Sequence, residues 1–341
     1  MASLLLGFAL AALVVVVAGT FLARFADSLA VSLKLSRAWV GLLFLAVVTS
    51  LPELATSLSA VTVIRGPDLA LGTLFGSNLF NLLMLAALRV VPRARRCTIQ
   101  TPSDLTLSAA GSILLISIAT FGVATGGAVS VAPRTFEALL ALSLVVAYLV
   151  LLRATFRAGS DLSRAEEDAP ASLWKPSLGF ALCALAVIAG GLWLVRLGDA
   201  LAGVQVSLAG RSFTLGRTAV GTFLIAVVTS LPELVVTVAA LRLGSLDMAF
   251  GNLFGSNMCN MAFVGVVALA SPGRSLFASS SPIHALTGLL SVALTAVAIA
   301  ALSRRESRPV PSFPWDAVVM LLLYLLGLVA MGMVGLAAPS G

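Results

Sequence analysis

Two glutamates in this sequence lie deep inside long apolar stretches, where an acid is costly. Among the 14 acidic residues, Glu53 and Glu233 fall farthest from the ends of such stretches. An ionised side chain at the centre of a bilayer costs at least about 2.5–3.5 kcal/mol on insertion scales, so each carboxylate needs a partner. No Lys or Arg is predicted at a similar depth. A bound cation is therefore the expected partner, whereas two protonated glutamates in structural hydrogen bonds would leave their identical surroundings unexplained.

Hydroxyl residues and a proline precede each glutamate. Thr49 and Ser50 lie four and three residues before Glu53, on the same helix face. Pro52 has no N–H to donate, so the carbonyl of Val48 loses its helical partner and the turn around Thr49 is expected to open. Carboxylate, hydroxyl and freed carbonyl oxygens suit hard cations such as Ca²⁺ and Na⁺. The second copy repeats the arrangement with Thr229, Ser230, Pro232 and Glu233.

A second polar motif follows each glutamate. Ser77 and Asn81 are spaced i, i+4 and so share a helix face, as do Ser256 and Asn260. The neighbouring asparagines, Asn78 and Asn257, are candidates either for binding or for bracing. Small residues at GxxxG spacing predict a helix drawn close to the glutamate-bearing helix. These glycines are Gly72 and Gly76 in the first copy, and Gly251 and Gly255 in the second.

The two motifs occur twice in the same order, so the chain contains an internal repeat. AVVTSLPEL occupies 46–54 and again 226–234, and LFGSN occupies 74–78 and again 253–257. Each pair falls in the second and third of five predicted spans. Because five is odd, the second half must enter the membrane from the opposite side. Inverted repeats of this kind place substrate sites near the membrane midplane, on interrupted helices.

Composition predicts an integral membrane protein. The chain is 60% hydrophobic and only 10% charged, whereas a soluble domain carries roughly 25% charged residues. A membrane helix needs about 20 mostly apolar residues, and ten stretches qualify. They cover residues 4–22, 39–63, 69–90, 104–125, 135–153, 177–197, 218–242, 247–269, 282–302 and 315–336. The predicted fold is all-α, with ten transmembrane helices arranged as two inverted five-helix repeats at 1–153 and 177–341, joined by a cytoplasmic linker at 154–176.

The basic residues predict the orientation of these spans. With the N-terminus outside, fifteen of the 21 Lys and Arg residues fall in inner loops and six in outer loops. Positive residues favour the cytoplasmic side, so both termini are expected outside a plasma membrane. The net charge of +7 is therefore attributed to topology and not to nucleic-acid binding. The three cysteines show no CxxC pairing, which disfavours a disulfide framework or a zinc site. The only histidine, His284, is expected at a surface or interface.

TSLPE and GSNxxN, once per half, resemble the two alpha-repeats of the cation/calcium exchanger superfamily, and TSLPE resembles its sodium/calcium branch. The resemblance spans nearly the whole chain. It implies that Glu53 and Glu233 bind Ca²⁺ and share Na⁺, and that the first and sixth spans slide to alternate access. The other implied ligands are the carbonyls of Ala46, Thr49, Ala226 and Thr229, the side chains of Ser50, Ser77, Ser230 and Ser256, and Asn81 and Asn260 at the centre.

Two positions depart from the family pattern. Asn260 stands where some sodium/calcium exchangers carry Asp, and potassium-dependent relatives also rely on an acid in the second repeat. With Asn in both halves, K⁺ co-transport is not expected. Thr73 replaces the Asn that is usual before the GSN motif, whereas Asn252 keeps it. The two halves of the site are therefore not expected to be fully symmetric.

The sequence thus predicts a secondary antiporter that exchanges Na⁺ for Ca²⁺ by alternating access, with no cofactor besides the transported ions. A Ca²⁺/H⁺ antiporter, in which the glutamates carry protons, stays open, as does a cation channel. An intramembrane enzyme is disfavoured because no HExxH or GxSxG motif is present. The expected partners are Ca²⁺, Na⁺ or H⁺, and the bilayer. A monomer is compatible with the sequence.

Overall fold

In the computed structural model, the described residues form helices joined by short connections, apart from one two-stranded hairpin. The structure describes residues 2–97, 99–126, 128, 133–160, 173–202, 205–208, 211–214, 228–271, 273, 275–305 and 314–337. In this part of the chain, nine helices are long and apolar enough to cross a membrane. The predicted all-α membrane fold is confirmed.

The first half contains five long helical segments. The second segment is continuous but changes its winding, with π-helical turns at Gly41–Leu45 and Ala60–Ile64. The helices are α1 (Ala2–Leu33), α2 (Arg37–Val40), α3 (Ala46–Ser59), α4 (Pro67–Val90), the short α5 (Pro92–Arg96), α6 (Pro102–Gly126) and α7 (Pro133–Ser160).

The second half repeats this order. It begins with α8, and a two-stranded antiparallel hairpin follows between the predicted spans 177–197 and 218–242. The elements are α8 (Trp174–Ala202), β1 (Gln205–Leu208), β2 (Arg211–Thr214), α9 (Leu231–Arg242), α10 (Leu246–Ala270), α11 (Ile283–Arg305) and α12 (Trp315–Ala337). The seventh predicted span, 218–242, is described only from 228 onward. Its first part, which includes Ala226, lies outside the described residues.

The expected opening around Thr49 is not observed in the first half, because Ala46–Ser59 is α-helical through Pro52. Pro52 removes the N–H donor for the carbonyl of Val48, but the loss of this one hydrogen bond does not open the helical turn. The irregular turn lies earlier, at Gly41–Leu45. In the second half, Ser230 has φ −94° and ψ 12°, and α9 begins only after it. The same TSLPE sequence is therefore helical throughout in the first half, whereas in the second half the α-helix begins only after its serine.

Acids near the ends of the spans are buried but have partners. Asp247 accepts hydrogen bonds from the backbone N–H groups of Gln100 and Thr101 at the start of α6. Asp316 forms an ion pair with Arg89. His284 begins α11 but is only 8% exposed, so it is not a surface residue. Its Nε2 lies 3.1 Å from Asp68 Oδ1. These groups anchor helix ends to neighbouring helices.

The second GxxxG pair packs backbone against backbone. A Cβ atom on Gly251 would collide with the carbonyl oxygen of Ala38, and one on Gly255 with that of Leu42. This contact fixes α10 against the segment that leads into α3. By the repeat, the segment that would pack on the first pair, Gly72 and Gly76, is in the second half near residues 218–222, which lie outside the described residues.

We expect Gly255→Val to destabilise the protein, because its side chain must displace the Leu42 backbone. Overpacking of this kind costs typically about 1–3 kcal/mol. Thermal unfolding in detergent, followed by loss of the monodisperse peak in size-exclusion chromatography, measures the effect. Gly332→Val is the matched control, because a Cβ atom there meets no atom within 4 Å. Equal unfolding temperatures for the two variants would contradict the tight contact.

Candidate cation site

The two glutamates lie at the crossing of α3, α4, α9 and α10. The structure places Glu53 on α3 and Glu233 in the first turn of α9. Their side chains are 0% and 1% exposed. Helix α10 contacts all three of the other helices, and nearly every residue along it is buried. The sequence motifs, which are up to about 200 positions apart, are thereby brought into one interior region.

Each carboxylate accepts a hydrogen bond from a serine hydroxyl. Ser50 Oγ donates to Glu233 Oε1 at 3.0 Å, and so crosses from the first half to the second. Ser77 Oγ donates to Glu53 Oε1 at 3.4 Å, within the first half. The other oxygen, Oε2, of each glutamate is buried without a hydrogen-bond partner in the described part of the chain. Each carboxylate is therefore held in place but left with a free oxygen.

The serines do not follow the repeat symmetry. Ser230 Oγ donates to Ser77 Oγ at 3.3 Å, whereas its counterpart Ser50 donates to a glutamate. Ser256, the counterpart of Ser77, has a buried hydroxyl without a partner among the described residues. Each hydroxyl has only one hydrogen to donate. Because Ser77 donates its hydrogen to Glu53 Oε1, it leaves Glu53 Oε2 free.

Four asparagines form two reciprocal pairs across the halves. Asn81 Nδ2 donates to Asn257 Oδ1, and Asn260 Nδ2 donates to Asn78 Oδ1, both at 3.0 Å. The amide nitrogens of Asn81 and Asn260 are thus engaged, and their side-chain oxygens are buried without partners among the residues that the structure describes. Asn78 and Asn257 therefore brace the two predicted ligands. The duplicated GSN motif was the sequence signal for them, but it did not distinguish bracing from binding.

The main-chain candidates are only partly described. The hydroxyl of Thr49 donates a hydrogen bond to the carbonyl oxygen of Ala46 at 3.3 Å. This carbonyl oxygen is one of the predicted ligand atoms. Thr49 and Thr229 are both buried. Ala226 lies outside the described residues. Of the predicted set, the glutamates, Ser50, Ser77 and Ser230 belong to the hydrogen-bonded centre.

No basic side chain neutralises the two carboxylates within the residues described. The ion pairs found there lie near the ends of spans and include Arg37 with Asp27 and Arg89 with Asp316. Buried polar atoms normally have hydrogen-bond partners, so a group of free acceptors requires an explanation. The free acceptors in this region are Glu53 Oε2, Glu233 Oε2, Asn81 Oδ1, Asn260 Oδ1 and Ser256 Oγ. Two carboxylates with neutral oxygens around them can accept a dehydrated hard cation.

Asn252 was not among the predicted ligands, and the structure places it beside this centre. Its amide nitrogen lies 3.5 Å from the main-chain oxygen of Glu233 and donates to Thr237 Oγ1 at 3.0 Å. The sequence signal was its mismatch with Thr73 in the first half.

Known proteins share both the sequence pattern and the fold. Inner membrane protein YrbG of Escherichia coli (strain K12) is 29% identical over 236 residues, which cover 69% of this chain and 70% of that protein. Sodium/calcium exchanger MaX1 of Methanosarcina acetivorans is 55% identical over 47 residues, or 14% of this chain and 13% of the relative. The solved structure of the sodium-calcium exchanger NCX_Mj, soaked with Na⁺ and Sr²⁺, superposes with a TM-score of 0.70 at 20% identity. That match covers 96% of this chain and 99% of the other.

A family model matches both halves of the chain. It is described as sodium/calcium exchanger protein, and it covers residues 3–157 and 181–333. The gap between these ranges falls around the predicted linker. Together with the nine apolar helices in the described residues, this match makes the chain a multi-pass membrane protein, and it belongs to the sodium/calcium exchanger family.

Proposed function

We propose that this protein is a secondary antiporter that exchanges Na⁺ for Ca²⁺ at a single buried site around Glu53 and Glu233. Family membership supports cation/calcium antiport as the general activity. The observation that carries the specific proposal is the pair of buried carboxylates, each with a free oxygen and without a basic partner in the described region. The further ligands we propose are Ser50, Ser77, Ser230, Ser256, Asn81, Asn260 and the main chain at Ala46, Thr49, Ala226 and Thr229.

Charge balance explains how two different ions can compete for one site. Two ionised glutamates give a fixed charge of about −2, which one Ca²⁺ balances. Three Na⁺ exceed it by one, so the third must be held by neutral oxygens. Ser256 and Asn81 supply free neutral oxygens of this kind. Because the two loads differ by one charge, the exchange cycle is electrogenic.

The proposed alternating access depends on α1 and α8, which pack mainly against each other. A Cβ atom on Gly191 of α8 would lie 2.7 Å from Pro52 Cγ and 3.6 Å from Pro232 Cγ. A Cβ atom on Gly19 of α1 would lie 2.9 Å from Val235 Cγ1. These two helices therefore lie directly over the glutamate-bearing helices. Sliding of α1 and α8 would open the site to one side at a time.

A single chain supplies both halves of the site, so the proposed mechanism is complete in a monomer. The proposed repeats are 1–153 and 177–341, and the proposed linker is 154–176. Two protons would also balance the two carboxylates, which makes a Ca²⁺/H⁺ antiporter the alternative to be tested. A channel is the less favoured alternative, because the site is buried and α10 is closely packed on its neighbours.

Glu53→Gln and Glu233→Gln should each abolish Ca²⁺ transport while leaving a folded protein. Glutamine keeps the size of the side chain and removes the charge that balances Ca²⁺. Uptake of ⁴⁵Ca²⁺ into proteoliposomes measures transport, and the detergent elution profile reports folding. Glu166→Gln, in the proposed linker, is the matched control, because it removes a glutamate charge outside the proposed ligand set. Near-normal Ca²⁺ affinity in either glutamate variant would refute the shared site.

An outward Na⁺ gradient should drive Ca²⁺ into vesicles, and an inside-positive potential should accelerate this uptake. In each cycle three Na⁺ leave the vesicle and one Ca²⁺ enters, so one net positive charge moves out. A membrane potential is worth about 2.3 kcal/mol per charge per 100 mV. A change of about 60 mV should therefore alter the limiting Ca²⁺ accumulation about tenfold. Potassium gradients with valinomycin set the potential. Uptake driven by a pH gradient alone, indifferent to Na⁺ and voltage, would establish proton coupling instead. Ca²⁺ flux without saturable counterflow would indicate a channel.

We also propose that both termini lie outside, based on the distribution of basic residues, and that the membrane is a plasma membrane, based on the short linker between the halves. In a background with the three native cysteines replaced, Ala2→Cys and Ser340→Cys should react with an impermeant maleimide on intact cells. Leu162→Cys, in the proposed linker, should react only after the membrane is permeabilised. The reverse labelling pattern would invert the orientation.

A further inference from the structure

Two polar contacts of different kinds hold the start of α2. Ser36 Oγ accepts from the backbone N–H of Trp39 at 3.2 Å and donates to Asp104 Oδ2 of α6 at 3.0 Å. In the next residue, Arg37 Nε donates to Asp27 Oδ1 of α1 at 2.7 Å. Consecutive residues therefore join α2 to α6 on one side and to α1 on the other.

These two contacts differ in their exposure to water. Ser36 and Asp104 are 7% and 2% exposed. The side chains of Asp27 and Arg37 are each 30% exposed. Separating a buried contact is costly, because it leaves a charge without its partner and without water. A partly exposed ion pair contributes little to stability, because water hydrates both charges when they part. The contact with α6 is therefore the fixed one, and the contact with α1 can open and close.

The ion pair connects the two groups of helices whose relative movement is proposed for alternating access. Helix α6 packs against α10 and α11, and α10 meets the backbone of Ala38 closely at Gly251. Helix α1 packs mainly against α8 instead. In the proposed movement, Asp27 travels with α1 and α8, and Arg37 stays with the helices that hold the cation site.

A polar cavity of about 230 Å³ lies beside the ion pair. Asp27 and Arg37 both line it, together with Gln100, which precedes α6. The two charged side chains can separate into this space without leaving polar surroundings. The pair formed by Arg89 and Asp316 differs in this respect, because its side chains are only 9% and 2% exposed.

Local helix stability does not explain the position of Arg37. It is the first residue of the continuous helical segment Arg37–Ile64, where the helix dipole disfavours a positive charge. In the connection from α1, Lys34 has φ 55°, a left-handed conformation that is unfavourable for a residue with a Cβ atom. The ion pair closes this turn from both ends and so holds the end of α1 in the described position.

We propose that the ion pair between Asp27 and Arg37 is a latch, which holds α1 in the described position and separates in every transport cycle when α1 slides. The contact of Ser36 with Asp104 stays closed throughout and keeps Arg37 beside the site-bearing helices. This inference rests on the proposed antiport by alternating access. It adds the contact that the sliding movement has to break.

Crosslinking the two sides of the latch tests whether they separate. Asp27→Cys and Arg37→Cys are combined in a background with the three native cysteines replaced, and are joined by a short bifunctional methanethiosulfonate. Exchange of ⁴⁵Ca²⁺ for Ca²⁺ across proteoliposomes needs both positions of α1 but no Na⁺. We expect crosslinking to remove nearly all of this exchange and dithiothreitol to restore it, because a joined pair cannot separate.

The matched control joins two elements on the same side of the proposed movement. Ser36→Cys with Asp104→Cys links α2 to α6, so its crosslinked and reduced forms should exchange Ca²⁺ equally well. Intact mass spectrometry verifies that both crosslinks are complete. Undiminished exchange in the crosslinked Asp27→Cys/Arg37→Cys protein would overturn the latch, as would equal arrest in the control.

Charge variants test the latch without cysteines, and so decide the matter if a cysteine pair does not fold. Arg37→Gln opens the pair, and we expect faster Ca²⁺/Ca²⁺ exchange by at most about fivefold, since a partly exposed ion pair holds α1 only weakly. The reversed pair, Asp27→Arg with Arg37→Asp, should return the rate toward that of the wild type. Unchanged or slower exchange in Arg37→Gln would contradict the latch, as would a reversed pair that is as fast as Arg37→Gln.

The wild type separates failure of this inference from failure of the proposed function. A wild type without saturable Ca²⁺/Ca²⁺ exchange would refute antiport by alternating access, and the latch with it. Normal exchange in the wild type, together with undiminished exchange in the crosslinked Asp27→Cys/Arg37→Cys protein, would refute the latch alone.

Discussion

Two carboxylates buried beside each other without a basic partner in the described residues constrain the rest of this structure. Other buried acids, such as Asp247 and Asp316, are matched by N–H groups or by an arginine. Glu53 and Glu233 each receive one serine hydroxyl and keep one oxygen free. The protein therefore positions these acids without neutralising them. Ionised carboxylates in this arrangement are unfavourable in an apolar interior unless a bound cation or protonation balances their charge.

The inverted repeat explains how such a centre can be built from a single chain. Each half contributes one glutamate on one helix and an asparagine pair on the next. The amide bonds Asn81 to Asn257 and Asn260 to Asn78 join the halves reciprocally. Since these bonds use the nitrogens of Asn81 and Asn260, they leave the oxygens of both side chains available. The same contacts thus join the two halves and leave two oxygens free for the proposed ion.

The packing around the centre is of two kinds. Helix α10 meets the segment before α3 backbone to backbone at Gly251 and Gly255, a contact that leaves little room for movement. Helices α1 and α8 meet the glutamate-bearing helices through side chains, with Gly191 under the ring of Pro52. This difference in packing is compatible with the proposed sliding of α1 and α8 over the glutamate-bearing helices.

Much of this organisation could be predicted from the sequence. The depth of Glu53 and Glu233 follows from hydropathy alone, because an acid surrounded by some 20 apolar residues is placed by the length of the span. The inverted topology follows from two identical motifs and an odd number of spans. The winding of the helices could not be predicted in this way. The π-helical turn at Gly41–Leu45 and the unopened turn at Thr49 depend on how α10 packs against this segment.

The sequence by itself determined which residue types reach the centre and that they come in pairs. Only the tertiary structure decided which oxygens stay free. Ser50 donates across the halves whereas its counterpart Ser230 does not, and Ser77 is engaged whereas Ser256 is not. Identical motifs cannot specify such differences, because a hydroxyl or amide hydrogen is directional and goes to the acceptor that the surrounding packing brings within reach.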